Sequence, residues 1–136
     1  MMATTATETT SLIAFTLPGT PYSVQMARFY VRAALDYHDL SDYAADAEMI
    51  TSELVTNAIT HASAEQFGIQ VVHLAGFAAV ALIVTDPSSD PPVKRCPARD
   101  TEHGRGLNIV DALAANWGWR PHYPGKAVYA ILRREA

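Results

Sequence analysis

"SELVTNAITHA", Ser52–Ala62, sets a carboxylate and a carboxamide four residues apart inside an otherwise apolar, helix-like run. On an α-helix, positions i and i+4 differ by about 40° in azimuth, so Glu53 and Asn57 point the same way one turn apart. Ala44, Ala47, Ile50, Leu54, Ala58 and Ala62 line an apolar stripe of that helix, and Ser41 is its candidate N-cap. Directly downstream the period changes. Phe67–Leu74 and Phe77–Thr85 are rich in Val, Ile and Phe and are separated by Ala75-Gly76, which predicts a hairpin. The second run is apolar on both faces, as a central strand should be.

Upstream, "SLIAFTLPG" (Ser11–Gly19) predicts a short strand. Thr20-Pro21 then offers a hydroxyl N-cap and a proline at the first helical position. Val24, Ala27, Val31, Ala34 and Leu35 follow at helical spacing, so a helix should run to about Tyr37. Arg28 and Arg32 lie off its apolar stripe, on a solvated face. Downstream, "PSSDPPVKRCPARDTEH" (Pro87–His103) holds four of the eight prolines and has no period, which predicts a functional loop or a disordered one. Order returns at "GRGLNIVDALAANWGW". Leu107, Val110, Leu113, Ala114 and Trp117 have helical spacing, with Gly118 as a stop. Two strand-like pieces, Trp117–His122 and Ala127–Arg134, close the chain around Pro124-Gly125. The expected architecture is an α/β domain of the α+β two-layer kind. A mixed, largely antiparallel sheet would be covered on one face by three helices. Residues 1–10 are expected to be a disordered tail and residues 11–136 a single domain.

Composition narrows the classes. A chain of 136 residues can bury a core without staples. Its 49% apolar and 18% charged residues are ordinary for a soluble protein. No apolar run approaches the ~18–20 residues that span a bilayer, so no membrane role is expected. The start, "MMATTATETTS", has neither a basic segment nor an apolar core, unlike a secretion signal. Cys96 is the single cysteine and can form no internal disulfide, so a reducing cytoplasm is expected. A formal charge of −4 argues against direct nucleic-acid binding, which needs a basic surface.

Several residues carry chemistry. Glu53 offers a base and Asn57 a neutral oxygen suited to a hard cation such as Mg²⁺. The same pair also fits plain helix surface, although Leu54, Val55, Ala58 and Ile59 crowd it with apolar neighbours. Asp86 ends the most apolar strand, a usual place for a ligand contact, and equally suits a turn before Pro87. Gly104-Arg105-Gly106 opens a helix. Glycines there let backbone N–H groups approach an anion, and Arg105 would add a charge-assisted contact, while a tight turn is the plainer reading. The five histidines show no metal-ligand spacing, and Cys96 has no evident partner base.

The order of these signals is more specific than any one of them. Glu-x-x-x-Asn on a helix, Asp after a strand, a long loop and Gly-x-Gly opening a helix resemble the ATP-binding domain of the GHKL superfamily. That group includes gyrase-type ATPases, heat-shock chaperones and histidine kinases. The short length and "SELVTNAITHA … VTDPS … HGRGLNIV" are most similar to the bacterial anti-sigma factor serine-protein kinases. The resemblance runs from about Leu12 to Leu132 and implies a Bergerat-type ATP-binding fold. It implies Glu53 as general base, Asn57 as the ligand of an ATP-bound Mg²⁺, and Asp86 as acceptor of the adenine amino group. Gly104, Gly106 and Leu107 would offer backbone N–H groups to the phosphates, with Arg105 near the γ-phosphate and residues 87–103 as the nucleotide lid. The implied partners are a sigma factor and an anti-sigma factor antagonist protein, and the implied assembly is a homodimer.

Two departures stand out. The family's Asp-x-Gly-x-Gly box reads Asp86-Pro87-Ser88-Ser89-Asp90 here, without either glycine. The family's Gly-Thr before the last strand is replaced by "GKAV", so Lys126 or Ala127 stands in the place of the threonine. Weak ATP affinity is therefore expected. The alternative function is a non-catalytic regulator that grips partner proteins, with weak or absent nucleotide binding.

Overall fold

Two helices, a hairpin, a short helix and a second hairpin follow the first strand in a computed structural model that describes residues 9–92 and 106–134. The elements are β1 (Thr9–Pro18), α1 (Tyr22–Tyr37), α2 (Ala44–Thr60), β2 (Gln66–Leu74), β3 (Ala79–Asp86), α3 (Gly106–Leu113), β4 (Asn116–His122) and β5 (Gly125–Arg133). They form one five-stranded sheet in the order β1-β2-β3-β5-β4. Every pairing is antiparallel, so the sheet is not mixed. β3 lies at the centre, and its run of inward and outward apolar residues is what that position demands.

The inward residues alternate along the strands: Phe67, Ile69 and Val71 on β2, Val80, Leu82 and Val84 on β3, Val128, Ala130 and Leu132 on β5. Against them pack Ala27, Val31 and Leu35 of α1, Ile50, Leu54 and Ala58 of α2, and Leu107 and Val110 of α3. All three helices thus cover one face of the sheet, giving the expected α+β two-layer sandwich. Glu48 on α2 draws Arg32 into a hydrogen-bonded ion pair and lies 3.6 Å from Arg28. The two arginines therefore tie α1 to α2 along their solvent edge rather than standing free on it.

Several boundaries differ from the sequence pattern, each for a local reason. β1 begins at Thr9, two residues inside the expected tail. Thr20 does not cap α1; its Oγ1 sits 3.2 Å from Ser23 Oγ, and its carbonyl accepts from Ser23 N. Ser41 does not cap α2 either. It opens a 3₁₀ turn over Ser41–Tyr43, and its hydroxyl donates to Asp36 Oδ1 at 2.8 Å. Phe77 lies not in β3 but in a 3₁₀ turn, Ala75–Phe77, that the left-handed Ala78 (φ 51°) closes. α3 stops at Leu113, earlier than its apolar spacing suggests. Trp117 instead belongs to β4, where its indole N–H donates to Asp111 Oδ1 at 2.8 Å.

Candidate functional site: a cleft between α2 and the ends of β3 and β5

Asp86 is the last residue of β3 and has the inward parity of Val80, Leu82 and Val84. Its cross-strand partner on β5 is Lys126, which has the inward parity of Val128, Ala130 and Leu132. The register thus forces two opposite charges to face each other at the rim of the core. Both are buried, at 7% and 4% exposure. Lys126 Nζ donates to Asp86 Oδ1 at 3.1 Å and lies 3.4 Å from the carbonyl of Ser88. Ser88 N donates to the same Oδ1 at 2.9 Å, closing an Asx-type turn that starts the loop.

Gly125 makes this approach of strands possible. A Cβ there would stand 2.0 Å from the carbonyl oxygen of Asp86 and 2.4 Å from the carbonyl carbon of Pro87. Of the two candidates for the missing threonine's place, Lys126 is the one that reaches Asp86. Ala127 has the opposite parity and faces away from the core.

Above the pair opens a cleft of about 220 Å³ between α2 and the sheet. Leu54, Asn57, Ala58 and His61 of the α2 side, Val84, Asp86, Lys126 and Val128 of the sheet, and Ser88, Asp90 and Pro92 of the loop line it. Asn57 and Asp86, far apart in sequence, are therefore brought to one cavity. Glu53 sits one turn before Asn57 on α2, half-buried like it, and outside the cleft's lining. Its burial pushes the carboxyl above the usual range, because desolvation disfavours the charged form.

Leu107, in the first turn of α3, is almost fully buried and belongs to the core, while α3 itself begins at Gly106. Gly104 and Arg105, and the expected lid beyond Pro92, lie outside the described residues. A second, wider depression of about 450 Å³ also reaches Asp86, but Thr16, Gly68, Thr85 and His122 line it. It contains neither Glu53 nor Asn57 and is open to solvent, so the α2 cleft is the better candidate for a bound molecule.

The donor set suits a nucleotide in part. The Asn57 carboxamide is a hard-cation ligand, and a Mg²⁺ held mainly by phosphates and water needs no cluster of acidic side chains. Among the described residues no such cluster exists. The apolar wall of Leu54, Ala58, Val84 and Val128 would cover the faces of a planar base. The Asp86 carboxylate, in contrast, is already engaged by an ammonium group.

Sequence reasoning placed Lys126 or Ala127 near Asp86 but did not find the ion pair. The signal was present: in "GKAVYAILR" Lys126 shares the parity of three buried apolar residues. No helix among the described residues is long and apolar enough to cross a membrane. The model of the histidine kinase-like ATPase domain family matches residues 17–132, from the end of β1 through nearly all of β5. No individual curated protein matches the chain.

Proposed function

The chain belongs to the histidine kinase-like ATPase domain family, and from that premise we propose an ATP-binding regulatory protein that is a serine-protein kinase and sequesters a sigma factor. The observation that carries the reading is the convergence of Asn57 and Asp86 on one cleft, with Glu53 a turn away on the same helix. Asp86 would anchor the base and Asn57 would hold Mg²⁺. The start of α3 would meet the phosphates, its N-terminal N–H groups being suited to anions. When bound, Mg²⁺–ATP supplies the transferable γ-phosphoryl group and offsets its charge. Glu53 would take the proton of a serine hydroxyl on an antagonist protein. Its raised proton affinity suits that role.

A homodimer in the cytoplasm completes this reading. It is supported by the resemblance and by the exposed aromatic side chains of α1: Tyr22, Phe29 and Tyr37 are 69%, 68% and 85% accessible.

Incubation with Mg²⁺–ATP and candidate antagonist proteins tests the kinase reading. Glu53→Gln should lower phosphate transfer roughly 10²–10⁴-fold, the usual worth of a general base. Equal transfer by both proteins would remove that role from Glu53. The Asp86–Lys126 pair favours a second reading, a regulator that grips partner proteins without phosphorylating them. Failure to bind any nucleotide at millimolar concentration would leave that one standing.

A further inference from the structure

Helices cover one face of the sheet, and no described helix or strand covers the other. An antiparallel sheet with one face in water normally turns polar side chains outward. Here the outward parity is apolar too: Val72 and Leu74 on β2, Ala81 and Ile83 on β3, Tyr129 and Ile131 on β5. The register sets Val72, Ala81 and Ile131 side by side, and likewise Leu74, Ala79 and Arg133. The alanines of β3 therefore form a trough between the taller side chains of β2 and β5. Those two strands lie two strand spacings apart, about 9–10 Å, which is close to the width of an α-helix. The trough deepens into a hollow of about 440 Å³ beside Leu74, Phe77 and Ala79. A Cβ on Gly118 would stand 2.6 Å from the Tyr129 hydroxyl, so the phenol lies down over β4 and keeps that side of the face low.

Charge decides what can lie there. Arg28 and Arg32 are paired with Glu48, Arg134 with Asp42 and Lys126 with Asp86. Arg120 and Arg133 are exposed, share the outward parity, and have no ion-pair partner among the described residues. No outward-facing residue of the five strands is acidic. A second copy seated on this face would bring only like charge to it, which disfavours self-association. Arg120 stands beside Ala127, and Arg133 lies six positions further along β5. That separation is about 20 Å, or roughly 13 residues of helix.

We propose that the open sheet face docks an amphipathic helix of a partner protein, laid along β3. Its apolar stripe fills the trough, and acidic residues near its two ends meet Arg120 and Arg133. This surface is separate from the α2 cleft, and the proposal does not depend on nucleotide binding.

Fluorescence anisotropy of two labelled synthetic helices, each of about five turns, titrated with the full chain tests it. Both peptides carry the same leucine stripe; one has glutamates near its ends and the other lysines. The glutamate helix should bind roughly tenfold more tightly at low salt, and the gap should close as salt rises. Arg120→Glu/Arg133→Glu changes two exposed side chains and should reverse the order. Phe29→Glu, on the exposed face of α1, should leave it unchanged. Amide shifts induced by the glutamate helix should centre on Ala81, Ile83 and Ile131. Equal affinity for the two helices, binding of neither, or an order unchanged in the double variant overturns the proposal. A dimer of the chain that Ala81→Glu splits would place a second copy on this face and overturn it as well.

Discussion

The two elements that meet at the cleft, the β3–β5 edge and helix α2, hold their carboxylates by opposite physics. On the β3–β5 side, Asp86 and Lys126 are buried together, and each satisfies the other at 3.1 Å. On the α2 side, Glu53 is half-buried with its proton affinity raised by desolvation alone. The charges of the floor are paired with each other, whereas no described contact offsets the desolvation of Glu53. The contrast separates structural polarity from reactive polarity. A carboxylate with a partner stabilises the rim of the sheet, and one without a partner is poised for chemistry.

The contrast breaks most visibly at Lys126. Lys126→Ala leaves Asp86 buried and unpaired and should cost about 3–5 kcal/mol in urea unfolding. The double variant Asp86→Leu/Lys126→Met should recover most of that loss, since an apolar pair needs no partner. A cost below about 1 kcal/mol for Lys126→Ala would mean that the pair behaves like an exposed one.

A smaller effect is expected deeper in α2. Thr51 is fully buried, and its hydroxyl has no hydrogen-bond partner among the described residues. Thr51→Val keeps the shape and removes that oxygen, so it should raise stability by about 1 kcal/mol. No gain would show that the hydroxyl is satisfied within its own helix.

The smallest effect concerns pH. Because burial raises the pKa of Glu53, the folded state holds its proton more tightly than the unfolded chain does. Its contribution is most favourable below the ordinary carboxylate range and is lost as pH rises through the raised value. Glu53→Gln should therefore melt slightly higher than wild type at neutral pH. The difference should shrink as pH falls through the carboxylate range, as followed by melting temperature. A gap that is constant with pH would mean that Glu53 is solvated.

The layers and the order of elements were legible because period decides them. The 3.6-residue spacing of Val31 and Leu35, or of Ile50 and Leu54, cannot serve a strand, and the two-sided apolar run of β3 needs a central place. The boundaries failed where apolar spacing fits two structures. Leu113, Ala114 and Trp117 continue a helical stripe, yet Trp117 also alternates correctly within β4. Ser41 has the chemistry of a cap but finds Asp36 closer. Asn57 and Asp86, which line one cleft, were legible as candidates from residue type and order. The Asp86–Lys126 contact was not, because it depends on the β3–β5 register across 40 positions.

The central claim is that a Mg²⁺-nucleotide occupies the α2 cleft, and amide chemical shifts followed by NMR during titration with Mg²⁺–ATP to millimolar concentration test it most directly. The account predicts changes concentrated at Asn57, Ala58, Asp86, Ser88 and Lys126, reduced in Asn57→Ala when Mg²⁺ is present. An unchanged spectrum, or changes centred on Thr16, Gly68 and His122 around the wider depression, would contradict it.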